Sequence, residues 1–250
     1  MVILKRIAAW IKRKLNAKPS DAKLSLSELM NIAYDQQTSD VMLRWLTPES
    51  VCIDGGAHKG DMLLEMCRMA PNAVHHAFEP IPELAKMLHI QFPQMQIHEQ
   101  AIADYSGRSI FKHVRNTPAY SGLKERTYDH ENPEIEDIEV EVVRLDDIIP
   151  ESEQVDLIKL DLEGGEYHAM KGAVNLIRRC KPIIIFEAGE PSSAHYGVTP
   201  DLIYSFVSEV LGYSVSTMKM WLENEPPFSK QTFIDNYPLD FYYIAYANKL

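Results

Sequence analysis

Three features are scarce in this chain. It holds three cysteines, Cys52, Cys67 and Cys180, far apart and without a C-x-x-C pair. That excludes a disulfide framework and a cysteine-only zinc site, and it points to a reducing compartment. No apolar run approaches the ~18 residues of a membrane span. The longest near the N-terminus, residues 7–11, is too short for a signal-peptide core, so the expected location is the cytoplasm. Positive charge is also short. The net charge is −11, and six basic residues (Lys5, Arg6, Lys12, Arg13, Lys14, Lys18) precede the first acidic one, Asp21. Setting those six aside leaves the rest of the chain at −17, which argues against nucleic acid as a partner.

The remaining composition, 46% hydrophobic and 24% charged over 250 residues, fits one elaborated α/β domain that buries its core unaided. Within residues 3–15, Ile3, Leu4, Ile7, Ala8, Ile11 and Leu15 share a helical face, with Lys5, Arg6, Lys12 and Arg13 opposite. Two readings fit this pattern. Residues 1–18 lie on the inner face of an anionic membrane, or the helix docks on its own domain or on the second subunit of a homodimer. Ser25 followed by Glu28 makes a capping box that opens a helix over 26–46, closed by Thr47 and Pro48. The predicted division is an N-terminal helical extension, 1–46, and a domain, 47–250.

Beyond residue 47 short β-rich runs alternate with helical stretches. Strands are predicted at 51–54, 73–78, 95–101, 155–161 and 182–187, and helices at 60–70, 82–91 and 165–179. That alternation implies βαβ units and a mostly parallel sheet with helices on both faces. Strand-rich pieces at 108–113 and 138–144 flank a long polar loop, 115–137. Strands at 213–220 and 240–246 read as an antiparallel C-terminal addition.

Chemistry enters after the first strand. Asp54 is followed by Gly55, Gly56 and Gly60, a glycine loop that lets backbone approach a ligand before a helix begins. Glu79 stands 19 residues beyond Gly60, where a carboxylate accepts hydrogen bonds from a ribose diol. Ala57 replaces the middle glycine of the dinucleotide fingerprint. Asp54 would repel a pyrophosphate yet suits the ammonium and sulfonium of S-adenosylmethionine. A nicotinamide-dependent oxidoreductase and a non-catalytic cofactor-binding or scaffold protein are the competing readings.

These residues carry a resemblance. V-C-I-D-G-G-A-H-K-G at 51–60, A-F-E-P at 77–80, A-I-A-D at 101–104, R-L-D-D at 144–147, L-I-K-L-D-L-E-G-G-E at 157–166 and I-I-I-F-E at 183–187 resemble the FkbM family of S-adenosylmethionine-dependent methyltransferases. The resemblance implies a Rossmann-like class I methyltransferase fold over 47–250. It also implies a cofactor site formed by Asp54, Gly55, Gly56, Ala57, His58 and Gly60, by Glu79 and Pro80 at the ribose, by Ala101 and Ile102 near the adenine, and by Asp161 on the substrate side. Gly55 and His58 depart from the aliphatic residue and the Asn common in the family. The acceptor class it implies is a hydroxyl on a glycan or a small hydroxylated metabolite.

Transfer to a hydroxyl needs alignment and a proton sink. Asp161 ends a strand and is the expected base, with Glu163 orienting the acceptor or sharing that role. Lys159 falls on the same strand face as Asp161 and is expected to pair with it. Asp161, Glu163, Glu166 and His168 are hard-ligand candidates for a divalent metal, although crowded carboxylates need none if they bind ammonium, hydroxyl or backbone groups. His58 and His195 are further pocket candidates. Tyr120, Ser121 and Tyr128 in the polar loop could contact a polyhydroxylated acceptor. The 11 acidic residues against two basic between Glu125 and Glu151 disfavour an anionic one.

Overall fold

The structure, a computed structural model, describes residues 26–126 and 132–247. The predicted helix over 3–15, the Ser25–Glu28 capping box and Tyr128 lie outside what is described. Among the described residues no helix is long and apolar enough to cross a membrane.

In chain order the elements are α1 (Leu26–Trp45), β1 (Cys52–Gly55), α2 (Asp61–Met69), β2 (His76–Phe78), α3 (Pro82–Gln91), β3 (Gln96–His98), β4 (Ala101–Ile102), β5 (Gly107–Val114) and β6 (Ile135–Val143). There follow α4 (Leu145–Ile148), β7 (Leu157–Leu160), α5 (Glu166–Lys171), α6 (Val174–Cys180), β8 (Ile183–Glu187), α7 (Glu190–Ser193), α8 (Pro200–Ser205), β9 (Tyr213–Thr217), α9 (Met218–Leu222), α10 (Lys230–Asn236) and β10 (Tyr242–Ala247). Seven strands make one sheet in the order β3-β2-β1-β7-β8-β10-β9. The pairings from β3 to β8 are parallel. β10 runs antiparallel between β8 and β9.

Alternation along the strands gives the sheet two unlike faces. On one, Ile53, Ile158, Leu160, Ile184, Phe186, Tyr243 and Ala245 join a large core with α5, α6 and α8. On the other, Cys52, Leu157, Ile183, Ile185 and Ile244 pack under Tyr34, Val41 and Met42 of α1. Arg44 ties α1 to the carbonyls of Trp221 and Leu222 at 3.1 and 2.8 Å, and Trp45 donates to Asp156 O at 3.0 Å. The described part of the predicted extension is therefore a layer of the domain.

Elsewhere the structure corrects the sequence expectations in detail. The predicted strand 95–101 is two strands. β3 extends the main sheet, whereas β4 leaves it to pair with β6 in a three-stranded sheet, β4-β6-β5. The helix expected over 165–179 breaks at Gly172, where an added Cβ would meet Ala103 O at 2.0 Å. Asp146 restarts it by accepting from Asn175 N and Leu176 N at 3.1 and 2.8 Å. The strand expected over 213–220 stops at Thr217, whose hydroxyl accepts from Met220 N at 3.1 Å and opens α9. The loop expected over 115–137 ends earlier, because β6 begins at Ile135. Cross-strand pairs Arg108–Glu139, Lys112–Asp137 and Arg115–Glu136 absorb part of that acidic run on an outer ribbon.

Candidate active site

β1, β2, β7 and β8 end at one edge of the sheet, where chain turns leave a crevice beside the strand-order reversal at β1. A cavity of about 560 Å³ opens there, within the range of small-molecule sites. The turn after β1 fixes one wall. Gly56 N and Ala57 N both donate to Phe78 O at 3.0 Å, and Asp161 N donates to Gly55 O at 3.0 Å. Gly56 has φ +79° and Gly60 φ +80°. A Cβ on Gly56 would lie 2.0 Å from Asp161 O, so the turn is pressed against the end of β7 and only glycine fits.

Glu79 faces this turn. Its carboxylate accepts from His58 N at 2.8 Å and from Ile81 N at 2.9 Å. Burial nevertheless pushes its pKa up to about 7, against the pull of those two donors. Gly56, His58, Glu79, Pro80, Ala101 and Ile102 all line the cavity, as expected from the sequence. Burial holds the His58 imidazole below its ordinary range.

Asp54, Gly55, Ala57 and Gly60 are not among the cavity-lining residues, and here the expectation of direct contact needs correction. Asp54 is 1% exposed. In the register Asp54 stands beside Lys159, so its carboxylate turns under the turn, 3.9 Å from Lys159 Nζ. Burial raises its pKa despite that cation. Gly55 packs against Leu160 and Ile102, and Gly60 against Leu88 and Phe92. These four residues build the turn and its underside.

The opposite wall is acidic and aromatic. Asp161 lies just past β7, and Lys159 Nζ reaches it at 3.1 Å, as the shared strand face predicted. Tyr242 donates to the same Asp161 oxygen at 2.6 Å. Burial opposes ionisation of Asp161, but Lys159 and Tyr242 prevail and hold its pKa below the usual carboxylate range. Glu163 has φ +55° and pairs with Arg126, the two side chains being 13% and 12% exposed. Arg126 also stacks over Tyr120, its guanidinium carbon 5.1 Å from the ring centroid. Tyr120 and Ser121 line the cavity as expected. No acidic residue of 132–151 lines it, whereas Arg126 does.

Glu166 has a structural task. It accepts from Leu162 N at 2.6 Å and Gly164 N at 3.2 Å, holding the turn that carries Glu163. Burial raises its pKa to about 7. Glu166→Ala strands both donors and is expected to cost about 2–4 kcal/mol, a fall of several degrees in Tm by calorimetry. Glu166→Gln, which keeps one acceptor oxygen, is expected to recover most of that loss. His168 turns away to Asp104 at 3.3 Å, and His195 does not line the cavity. Among the described residues, the carboxylates that could share an ion are Asp161, Glu163 and Glu187, with oxygens within 4.8 Å of one another. The earlier set with Glu166 and His168 is therefore replaced.

The wall residues that sequence reasoning missed include Tyr34 and Asp35 of α1, Arg126, Glu187, Tyr196 and Tyr242. Glu187 was accessible to the logic that found Asp161, since it is a carboxylate at the carboxyl end of an apolar strand. Tyr242 was not, because only an antiparallel β10 brings its first residue to that edge, opposite Glu187.

The sequence matches the model of the methyltransferase FkbM domain over residues 54–215. Among solved structures, the methyltransferase FkbM from Methylobacillus flagellatus KT is 16% identical with a TM-score of 0.48, the match covering 80% of this chain and 44% of that one. The TehB-like SAM-dependent methyltransferase from Corynebacterium glutamicum ATCC 13032 Kitasato is 11% identical with a TM-score of 0.44, covering 99% of this chain and 98% of that one. The plantazolicin methyltransferase BpumL, solved with a pentazolic desmethylPZN analog and SAH, is 9% identical with a TM-score of 0.42, covering 99% and 97%. The chain spans less than half the length of the first of these structures. No curated protein matches the sequence. A seven-stranded sheet with one antiparallel strand set between its last two neighbours is the class I methyltransferase arrangement. With the family match covering well over half of the sequence on that sheet, the chain belongs to the FkbM methyltransferase family.

Proposed function

We propose that the protein is an S-adenosylmethionine-dependent methyltransferase acting on a hydroxyl of a glycan or a small polyhydroxylated acceptor. The observation that carries the cofactor reading is Glu79. Both of its oxygens are aimed by backbone N–H groups beside a turn that admits only glycine, leaving lone pairs for a ribose diol. Gly56 and His58 would flank the methionine part, and Ala101 and Ile102 the adenine. When bound, S-adenosylmethionine supplies an electrophilic methyl on a sulfonium.

The chain's own residues supply the rest. Asp54 acts from beneath the turn, through Lys159 and the field at the strand ends. Asp161 and Glu163 face the space left for an acceptor and accept its hydroxyl hydrogens. Tyr34, Tyr120, Tyr196 and Tyr242 offer ring faces and hydroxyls, a combination that suits a sugar ring. Lys159 and Arg126 already balance two of the carboxylates, so a divalent ion is not needed to hold them together. A membrane contact or homodimer through residues 1–18 stays a proposal resting on the helical projection alone, tested by liposome partitioning and sedimentation of full-length and truncated chains.

Calorimetry is expected to give a micromolar Kd for S-adenosylmethionine, lost in Asp54→Ala, and no stabilisation by NAD. Labelled-methyl transfer to a panel of glycans and polyols tests the acceptor class. Binding without transfer to any of them would favour a non-catalytic role.

A further inference from the structure

We propose that residues 115–126 form a strap that must lift to admit cofactor and acceptor, and that the Arg126–Glu163 pair is the latch that holds it shut. The exchange of cofactor rests on the cofactor reading above; the lifting of the strap does not.

The walls of the cavity differ in how firmly they are held. The turn after β1 is pinned by Phe78 O and by the end of β7. α1 is anchored through Val41 and Met42, which are fully buried in the core beneath it. The strap has no comparable stake. Its single helical turn, Pro118–Tyr120, buries no residue. Leu123 is only partly buried, against the cluster that holds Ile81, Ala101 and Phe111. Yet Thr117, Pro118, Tyr120, Ser121, Leu123 and Arg126 all line the cavity. A segment that covers a site with so little buried apolar surface opens at a lower free energy than the core that frames it.

Polar contacts hold the strap at two places. At its root, Lys112 N donates to Gly122 O at 2.8 Å and Gly122 N to Lys112 O at 3.2 Å, an isolated bridge outside the strand ladders. Val114 N donates to Ser121 Oγ at 2.9 Å. Across the cavity the strap meets the turn that follows β7. Arg126 pairs there with Glu163 while stacking over Tyr120 of the strap itself. Gly122 comes equally near: a Cβ on it would stand 3.6 Å from Glu163 Cβ and 3.4 Å from the Tyr196 hydroxyl. The side chains of the pair are only 12% and 13% exposed. Burial strengthens their attraction, but desolvation offsets part of it, and Arg126 Nε is buried without a hydrogen-bond partner. Lifting the strap returns both charges to water, so closure is favoured and still reversible. A ligand oxygen that reaches Arg126 Nε adds a bond available only with the strap down, which couples occupancy to closure.

A reversible lock tests this. The 3.6 Å separation of the Gly122 and Glu163 Cβ positions falls within the disulfide range of about 3.5–4.5 Å. The native cysteines Cys52, Cys67 and Cys180 are buried and do not compete. Gly122→Cys combined with Glu163→Cys in the full chain therefore gives a strap that an oxidant fastens and a reductant frees. In stopped flow, the oxidised protein is expected to take up and release S-adenosylmethionine at least ~10-fold more slowly than the same protein reduced. Arg126→Ala removes the latch and is expected to speed release by about tenfold. Equal rates in the oxidised and reduced protein overturn the proposal. So does a folded double variant that forms no disulfide under oxidant, because the strap then does not meet the turn.

Hydrogen exchange by NMR on the ligand-free protein judges the strap when the double variant does not fold or the cofactor does not bind. The amides of Tyr120, Ser121 and Gly122 are hydrogen-bonded, and so are those of the β5–β6 ladder. The three strap amides are expected to exchange at least ~10-fold faster than the ladder, and faster again in Arg126→Ala with the ladder unchanged. Strap and ladder exchanging together would show that the strap has no opening of its own. Separate exchange without any binding of S-adenosylmethionine would reject the cofactor reading and uphold the strap.

Discussion

Replacing Gly56 by alanine is expected to abolish measurable binding of S-adenosylmethionine and to destabilise the fold by about 3 kcal/mol or more. Two costs add. The residue sits at φ +79°, where a Cβ costs about 1–2 kcal/mol. That Cβ would also fall 2.0 Å from the carbonyl oxygen of Asp161. The obstacle is backbone at the end of a central strand, so no rotamer change relieves it. At about 2–4 °C per kcal/mol for a chain of this size, Tm should drop by roughly 6–12 °C, and calorimetry should show at least a ~100-fold loss of affinity. Gly197→Ala is the control. It has φ +69° but nothing within 4 Å of an added Cβ, so it should carry only the conformational cost, about 1 kcal/mol, and bind normally. Equal effects from both variants would show that the contact with Asp161 does not matter.

Glu79→Gln is expected to weaken S-adenosylmethionine binding by about 10–100-fold, the value of one hydrogen bond to a charged group. The amide has one acceptor oxygen where two are in use, and its NH₂ meets a backbone N–H. Because the Glu79 carboxyl is pushed up to about 7, pH adds an independent signature. Hydroxyl donors prefer the ionised form, so wild-type affinity should rise with pH, by at most tenfold per unit below about 7, and level off above it. The variant should show no such rise. Stability of the ligand-free protein should move the other way. Glu79 and Glu166 both titrate near 7 when folded and near 4.3 when unfolded. The folded state thus binds their protons more tightly. Their contribution is intact below about pH 4, is lost progressively as pH rises to about 7, and changes no further beyond that. Chemical denaturation between pH 5 and 8 would show this decline, and Glu79→Gln should reduce it. A Kd independent of pH in the wild type would remove Glu79 from the ribose site.

The parallel core was legible because each strand advertises itself. V-C-I-D, L-I-K-L-D and I-I-I-F-E are short apolar runs ending in carboxylates, and buried parallel strands read this way. The glycine turn was legible for a related reason, since a backbone that must pass within contact of another strand end tolerates only glycine. Less legible were segments whose fate depends on distant partners. Residues 95–101 have one β-rich pattern but divide between two sheets, because β4 finds its partner in β6 more than 30 residues on. Helix 165–179 has an unbroken apolar period, and the break at Gly172 is set by Ala103 and Asp146. The acidic residues at 136–141 fell partly within the loop expected over 115–137, but they belong to β6 and pair across to β5.

Sequence alone determined the groups at the strand ends: a glycine turn, the carboxylate Glu79 facing it, and Asp161 paired with Lys159. These follow from residue type and strand alternation, which are local. Tertiary structure alone decided that Asp54 lies beneath the turn and outside the cavity, that α1 roofs the pocket, and that Glu187 and Tyr242 close on Asp161. Those facts depend on which strands are neighbours and on the antiparallel insertion of β10. Register between segments far apart in the chain is settled by packing of the whole core, and no short stretch of sequence carries it.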